Sequence, residues 1–290
     1  MNEFAAWPYD WLQDEAYQSR VATVSGKLLL SDGRPAAGAA VFLGDNHPNE
    51  TTLDQGRYYN YVQYADDDGS FAFETVRTGS YALQAWSNGG ALSDVSATYL
   101  KNDIDIASSN SASADLGTLE WAIPSNRTKL FQIGDFDRKS LGFKYGGAPY
   151  QHALVAKSPA NLTYTIGKSK TEDWYFAQSA IGTWNINFSL DAIPNANRLA
   201  LLTVSLASYS KRVSSSILLN GQRIGNLSSS TIPSDPSLYR SGTTAGEWHQ
   251  YEFWFYGSRL SKGTNTISFA VQGTTLWHGF MWDAIRLDWV

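Results

Sequence analysis

The chain has 290 residues, 43% of them hydrophobic, and a formal net charge of −5. The hydrophobic content is enough to form a folded core, which excludes disorder of the whole chain. The length fits one large domain or two ordinary ones. The basic residues are scattered and the net charge is acidic, which excludes nucleic acid as a partner because phosphate binding needs clustered Lys and Arg.

Two further features of the composition narrow the function. Cysteine is absent, which excludes disulfides, thiol nucleophiles and cysteine–zinc sites, and no apolar stretch is as long as a membrane span. Aromatic residues make up 14% of the chain, with 11 Trp and 16 Tyr. Exposed aromatic rings stack on sugars, but such rings also fill the cores of β-sandwiches, and burial is the commoner outcome for any single ring.

Residues 1–19 are expected to be a connector from an N-terminal domain that this chain lacks. They have neither a basic start nor an apolar core, so they do not form a signal peptide. Trp7 and Trp11 need a surface to cover them, and such a domain would supply it. Asn-x-Ser/Thr sequons nevertheless favour a secreted glycoprotein, and they lie at Asn49, Asn126, Asn161, Asn187 and Asn226.

Residues 20–125 alternate with period two between frequent turns, which predicts a small antiparallel β-sandwich. Phe71 and Phe73 should share one face of a strand. The acidic run before them invites a calcium-loop interpretation. Aligned on Gly69, however, the twelfth position of that motif is Thr75 instead of Glu, so a β-turn is the better interpretation.

Residues 126–290 contain seven or more predicted strands, which is typical of a β jelly roll. The dipeptide Asn220-Gly221 predicts a tight hairpin turn. Residues 234–247 form a long polar segment, and long loops on a rigid sandwich often carry binding function. The whole chain is therefore predicted to be all-β, with a small sandwich followed by a jelly roll.

Two carboxylates at the start of the second domain suggest a metal site. If Asp135 and Asp137 lie on a strand, they share one face, and Asp283 or Asp288 would join them if the first and last strands pair. Oxygen ligands suit calcium, so a structural calcium is one interpretation. A solvated edge or a salt bridge is the other, and no cofactor is required by any motif.

The dipeptide Trp-His occurs at Trp248 and Trp277, and its two side chains should point to opposite faces of a strand. One ring would pack in the core while the other could meet a ligand. Candidate sugar contacts are Trp248, His249, Trp277, His278, Trp174 and Tyr150.

The closing stretch, Phe280 to Val290, is predicted to be the last strand of the jelly roll. Strict alternation would place Phe280 and Trp282 on one face, and Asp283 and Ile285 on the other. No zinc-protease, nucleophile-elbow or P-loop motif occurs, so the residues alone indicate no catalytic site.

Several stretches occur together and in one order: WPYDWL, VSGKLLL, DDDGSFAFETVRTGSYALQAW, LGTLEW, LFQIGDFDRKSLGF, APYQHALVAKSPANLTYTIGKSKTEDWYFAQSAIGTW and WHGFMWDAIRLDWV. Their combination resembles the C-terminal two thirds of the family 4 polysaccharide lyases, the rhamnogalacturonan lyases. That family has a catalytic β-sandwich, then a fibronectin-III-like domain, then a jelly roll similar to carbohydrate-binding modules. The resemblance covers the second and third of these domains, over residues 20–125 and 126–290.

The resemblance implies a function in cleavage of rhamnogalacturonan I, a pectic polysaccharide, by β-elimination. In the family a lysine and a histidine of the first domain carry that chemistry, and no position here matches them, so the isolated chain is expected to be inactive. The expected protein is a secreted monomer that pairs with an N-terminal lyase domain and holds pectin through its jelly roll. A free-standing lectin-like module and a purely bracing role are the alternatives.

Overall fold

A computed structural model describes residues 21–45, 60–106, 113–147, 153–192, 195–228, 244–273 and 278–290, with residues 230, 232, 234, 235 and 238. The chain divides into two compact units, Met1–Ser125 and Asn126–Val290. Across the described ranges the regular structure is β-strand, apart from short 3₁₀ turns at Gly90–Leu92, Leu154–Lys157, Thr171–Asp173 and Gly257–Arg259. The all-β prediction is confirmed. None of the described helical turns is long and apolar enough to cross a membrane.

The first unit is a sandwich of two sheets. Its strands are β1 (Val21–Leu30), β2 (Ala40–Asp45), β3 (Tyr61–Tyr64), β4 (Ser70–Arg77), β5 (Gly79–Trp86), β6 (Tyr99–Ile106) and β7 (Ser113–Trp121). One sheet has the order β4-β1-β7 and the other β3-β2-β5-β6. β7 runs parallel to β1, whereas the other pairs are antiparallel.

The core of this unit follows from the period-two pattern. Phe71 and Phe73 are both buried and their rings meet edge to face, with centroids 5.8 Å apart. The turn between β3 and β4 closes with a hydrogen bond from the Gly69 amide to the Asp66 carbonyl, and Gly69 has φ +84°. The hydrogen bond confirms the predicted β-turn. Glycine suits this position because only a residue without Cβ adopts this φ at no steric cost.

The second unit is built from two five-stranded sheets. Its strands are β8 (Thr128–Gly134), β9 (Leu162–Thr165), β10 (Ala177–Gln178), β11 (Gly182–Leu190), β12 (Leu199–Tyr209), β13 (Ser214–Leu219), β14 (Gln222–Leu227), β15 (His249–Tyr256), β16 (Gly263–Gly273) and β17 (Phe280–Trp289). One sheet has the order β10-β17-β12-β15, with β8 also paired to β17. The other sheet has the order β14-β13-β16-β11-β9.

One local prediction for this unit is confirmed, and the strand pairing on which the predicted carboxylate cluster depended is present. Asn220 and Gly221 have φ +49° and +79° and join β13 to β14 in the predicted hairpin. The first and last strands pair antiparallel, with Gly134 opposite Ala284. This pairing brings the chain after β8 close to the middle of β17.

The predicted alternation of β17 is wrong at Asp283. In the pairing with β12, Ser205 lies opposite Ala284 while the next residue, Leu206, lies opposite Trp282. Asp283 is therefore the extra residue of a β-bulge, and the bulge shifts the face of every residue beyond it. Trp282 and Ile285 consequently both lie in the hydrophobic core, although strict alternation placed them on opposite faces.

Candidate functional site

Trp174 lies in the centre of the second core and is not a sugar contact. It has no exposed surface, and its ring meets Trp184 and Trp282 edge to face at 5.0 and 5.7 Å between centroids. The prediction that Trp174 binds carbohydrate is wrong. The Trp-rich sequence did not show that the Trp174 ring, which follows a 3₁₀ turn, meets rings from two separate strands in one cluster.

The bulge at Asp283 places a carboxyl group in a buried polar cluster with Asp137. The backbone amides of Asp137 and Lys139 donate to Asp283 Oδ1 at 3.1 and 3.2 Å. The Lys139 amide also donates to Asp137 Oδ1 at 2.8 Å. Asp137 and Asp283 therefore meet as predicted, and backbone N–H groups satisfy part of their hydrogen-bonding capacity.

Asp135 does not share a strand face with Asp137. β8 ends at Gly134, and the next residues form a tight bend in which the Asp137 amide donates to the Asp135 carbonyl at 2.8 Å. Asp135 is exposed, whereas only 7% of Asp137 is exposed. The prediction of a shared face is wrong because Gly134, with φ +75°, turns the chain out of the strand.

Trp248 and Arg138 cover this cluster. Ser205 donates to Asp283 Oδ2 and accepts a hydrogen bond of 2.8 Å from Trp248 Nε1. The Arg138 guanidinium carbon lies 4.0 Å from the centroid of the Trp248 ring, in cation–π geometry. One ring face and the indole N–H of Trp248 are therefore occupied within the unit, and the residue as a whole is half-buried.

Burial dominates the titration of this cluster. It raises the pKa of Asp283 well above its usual range, and the neighbouring Asp137 charge raises it further. Burial also raises the pKa of Asp137. The same loss of hydration lowers the pKa of Arg138 to about 9, although Asp283 counteracts this. Both acids therefore keep their protons to a higher pH than an exposed aspartate does.

The described residues do not form a complete set of calcium ligands at the predicted site. Among the described residues, no group of three or more His, Cys, Asp or Glu side chains is arranged to hold a metal ion. Asp137 and Asp283 alone would offer two carboxylates, whose oxygens already accept backbone and hydroxyl hydrogen bonds. A calcium ion there stays a prediction.

Asp235, near the start of the predicted binding loop 234–247, contacts the end of β12. Its carboxylate accepts hydrogen bonds from the Ser208 hydroxyl at 2.8 Å and from the Glu247 amide at 3.0 Å. The Asp235 amide donates to the Tyr209 carbonyl at 2.9 Å. This end of the predicted binding loop is therefore tied to the strand that carries Ser205.

The other predicted positions have mixed outcomes. His249 starts β15 and His278 precedes β17, and both are half-buried, whereas Trp277 and Tyr150 lie outside the described residues. Among the sequons, Asn49 also lies outside the described residues. The remaining sequons are exposed at Asn126, Asn161 and Asn226, but Asn187 lies within β11 and accepts a 2.8 Å hydrogen bond from Thr266.

Sequence reasoning missed the most exposed aromatic pair among the described residues of the second unit. Trp254 and Tyr256 lie on the same face of β15, with 46% and 57% of their surface exposed. β15 is the last strand of its sheet, so it has a neighbour on one side only. The signal was present in the stretch YEFWFY, which carries aromatic residues on both faces and therefore cannot bury them all. We call Trp254 and Tyr256 the aromatic ridge.

Comparison with known proteins decides the family. Residues 31–114 match the family model described as polysaccharide lyase family 4, domain II, and residues 129–287 match domain III of the same family. The chain belongs to polysaccharide lyase family 4. Its two units carry the family's second and third domains.

Curated relatives extend beyond this family 4 chain. It is 30% identical to the rhamnogalacturonate lyase of Dickeya dadantii over 292 residues, which is 99% of this chain and 47% of the relative. It is 24% identical to the probable rhamnogalacturonate lyase B of Aspergillus niger, covering 65% of this chain and 30% of the relative. The chain thus spans less than half the length of these relatives.

Among solved structures, a family 35 carbohydrate binding module from an environmental isolate is similar to the family 4 chain. The identity is 18% and the TM-score 0.25, over 49% of this chain and 81% of the module.

Proposed function

We propose that this chain is the non-catalytic C-terminal region of a rhamnogalacturonan lyase and that its second unit holds the polysaccharide. The observation that carries the proposal is the aromatic ridge on β15. Its support is the membership of family 4, whose third domain is described as similar to carbohydrate-binding modules. The first unit is then a spacer and packing partner within the lyase.

The ridge has the physical properties of a stacking surface for sugars. Residues two apart on a strand point to the same side and lie roughly 7 Å apart, so both rings can face one extended ligand. Exposed Trp and Tyr combine a large apolar face with a polar tip, which suits the apolar faces and hydroxyls of a pyranose. Glu252, on the same face of β15, pairs with Arg127 at 3.3 Å and adds polar groups beside the rings.

Titration calorimetry of the full chain with rhamnogalacturonan I oligosaccharides tests this proposal. We expect Trp254→Ala and Tyr256→Ala each to weaken binding about tenfold, which corresponds to roughly 1.4 kcal/mol. Tyr64→Ala is the matched control, because Tyr64 is a 58% exposed tyrosine on a strand of the other unit. All three variants should keep the thermal unfolding midpoint of the wild type, since each removes an exposed side chain.

Two outcomes would favour other functions. Absence of any saccharide binding by the wild type would leave the bracing role as the remaining explanation. Binding that survives both ridge substitutions would show that the carbohydrate contacts another surface.

A further inference from the structure

We propose that Tyr145, Tyr175, Lys144 and Lys157 form a second saccharide site, one that selects a sugar bearing a carboxylate. We call these four residues the cationic tyrosine cluster. The inference rests on the proposed function, because it assumes that the second unit binds polysaccharide. It adds a separate position on that unit and a chemical preference.

The rings and ammonium groups of the cluster lie close together. The Tyr145 and Tyr175 rings meet edge to face with centroids 5.8 Å apart. Lys144 Nζ lies 5.0 Å from the Tyr175 centroid and 6.0 Å from that of Tyr145, and Lys157 Nζ lies 5.7 Å from Tyr145. Both positive charges therefore flank one tyrosine ring at cation–π distances.

Exposure and support differ between the two tyrosines. Tyr145 is 36% exposed, so part of its ring is open to a ligand. Tyr175 is half-buried and packs against the fully buried Trp184, with centroids 6.2 Å apart. The inner ring is thus anchored to the core, and it holds the outer ring and Lys144 in place.

The backbone fixes this arrangement in an unusual conformation. Tyr145 has φ +68°, a region that bulky residues rarely adopt and that recurs at binding sites. The preceding residue is held from both sides, since the Lys144 amide donates to the Trp174 carbonyl at 2.8 Å and the Phe176 amide donates to the Lys144 carbonyl at 3.0 Å. The backbone next to Tyr145 is therefore tied by two hydrogen bonds to the segment that carries Tyr175.

The charge of the cluster favours an anion. Both Lys144 and Lys157 are exposed, and within the described ranges neither forms an ion pair with a carboxylate. A uronate fits better than an inorganic anion, because its ring can stack on Tyr145 while its carboxylate meets an ammonium group. Two lysines on an acidic chain are too few for a nucleic acid.

The cluster and the aromatic ridge lie at opposite edges of one sheet. Tyr175 precedes β10 and Trp254 lies in β15, and the strand order β10-β17-β12-β15 places two strands between them. Three strand spacings of about 4.8 Å separate the two edge strands by roughly 14 Å. Substitutions at one site should therefore leave the other intact.

The test compares oligogalacturonate with its methyl ester, which has the same rings without the charge. In calorimetric titrations of the full chain we expect the acid to bind at least tenfold more tightly than the ester. The double variant Lys144→Ala/Lys157→Ala should abolish this preference, and Tyr145→Ala should weaken both ligands. Lys211→Ala/Lys262→Ala removes the same charge from exposed lysines elsewhere in the unit and should keep the preference.

The outcomes separate this inference from the proposed function. Equal affinity of the wild type for acid and ester, or an acid preference that survives loss of Lys144 and Lys157, would overturn the site. If the control double variant loses the preference to the same extent, the preference reflects only the overall charge of the chain. That outcome would also overturn the site. Trp254→Ala should keep the preference for the acid. If this variant alone loses binding, the result bears on the aromatic ridge and not on the cationic tyrosine cluster. Thermal unfolding of each variant separates loss of binding from loss of fold.

Discussion

At the scale of single residues, the role of an aromatic ring in this protein depends on which of its faces are covered. Trp174, Trp248 and Trp254 look alike in the sequence. In the structure the first is enclosed by other rings, the second is stacked under Arg138, and the third is 46% exposed. Composition predicted sugar contacts among the tryptophans, but the neighbours that decide each case come from distant parts of the chain.

Asp283 allows a residue-scale prediction of pH dependence. Its folded-state pKa is raised above the unfolded value of about 3.9, so the fold binds its proton more tightly than the unfolded chain does. The resulting stabilisation is complete below about pH 4 and is lost as pH rises through the folded pKa. The amide of the Asp283→Asn variant cannot ionise, so this variant does not lose stability in this way as the pH rises. Between pH 4 and 8, the free energy of unfolding of the wild type should therefore fall relative to that of the variant.

Urea unfolding of both proteins at stepped pH measures this difference, which should be about 1.4 kcal/mol for each unit of pKa shift traversed. Asp191→Asn, at an exposed carboxylate of the same unit, is the control and should follow the wild type. A constant difference between Asp283→Asn and the wild type across this range would contradict the prediction.

At the scale of elements, the point where β8 ends determines the polar cluster. The sequence raised the strand and its pairing with β17 only as conditions of the metal interpretation, because pairing between distant strands is not a local signal. It did not predict the bend after Gly134 or the bulge at Asp283. Both features become visible only when the strands are paired. The hydrophobic pattern of a single strand does not predict them.

Gly134 therefore provides a test of this element. Its φ is +75°, and an added Cβ would lie 2.3 Å from the Asp283 carbonyl oxygen and 2.5 Å from the Phe143 ring. Gly167 is the matched control, with φ +79° and no atom within 4 Å of an added Cβ. Gly167→Ala should cost about 1–2 kcal/mol from backbone strain alone. Gly134→Ala should cost a further 1–3 kcal/mol or so from overpacking.

Denaturant unfolding of the two variants measures the difference between them. Equal destabilisation would mean that the close approach of β8 and β17 at Gly134 does not constrain the fold. A larger cost at Gly134 would support the view that this glycine permits the bend that brings Asp137 to Asp283.

At the scale of the whole molecule, the chain contains two of the three domains that the family resemblance implies. It covers 47% of the Dickeya dadantii lyase. Elimination needs a base at the proton to be removed and neutralisation of the uronate charge, and the resemblance assigns these roles to the first domain. The chain should therefore bind rhamnogalacturonan I without cleaving it.

Incubation of the chain with rhamnogalacturonan I should produce no increase in the ultraviolet absorbance of unsaturated uronate. A full-length rhamnogalacturonan lyase on the same substrate is the positive control. Steady growth of absorbance with the chain alone would refute the non-catalytic assignment.

The sequence by itself determined the all-β class, most strands, the hairpin at Asn220-Gly221 and the family. These depend on short-range alternation, on turn residues with special φ and on motifs read in order. Only the tertiary structure decided that Trp174 is core, that Trp254, Tyr256 and Tyr145 are exposed, and that Lys144 and Lys157 flank one ring. The physical reason is that burial and charge proximity are set by strand pairing between residues far apart in the chain, where a single bulge reverses the face of every residue beyond it.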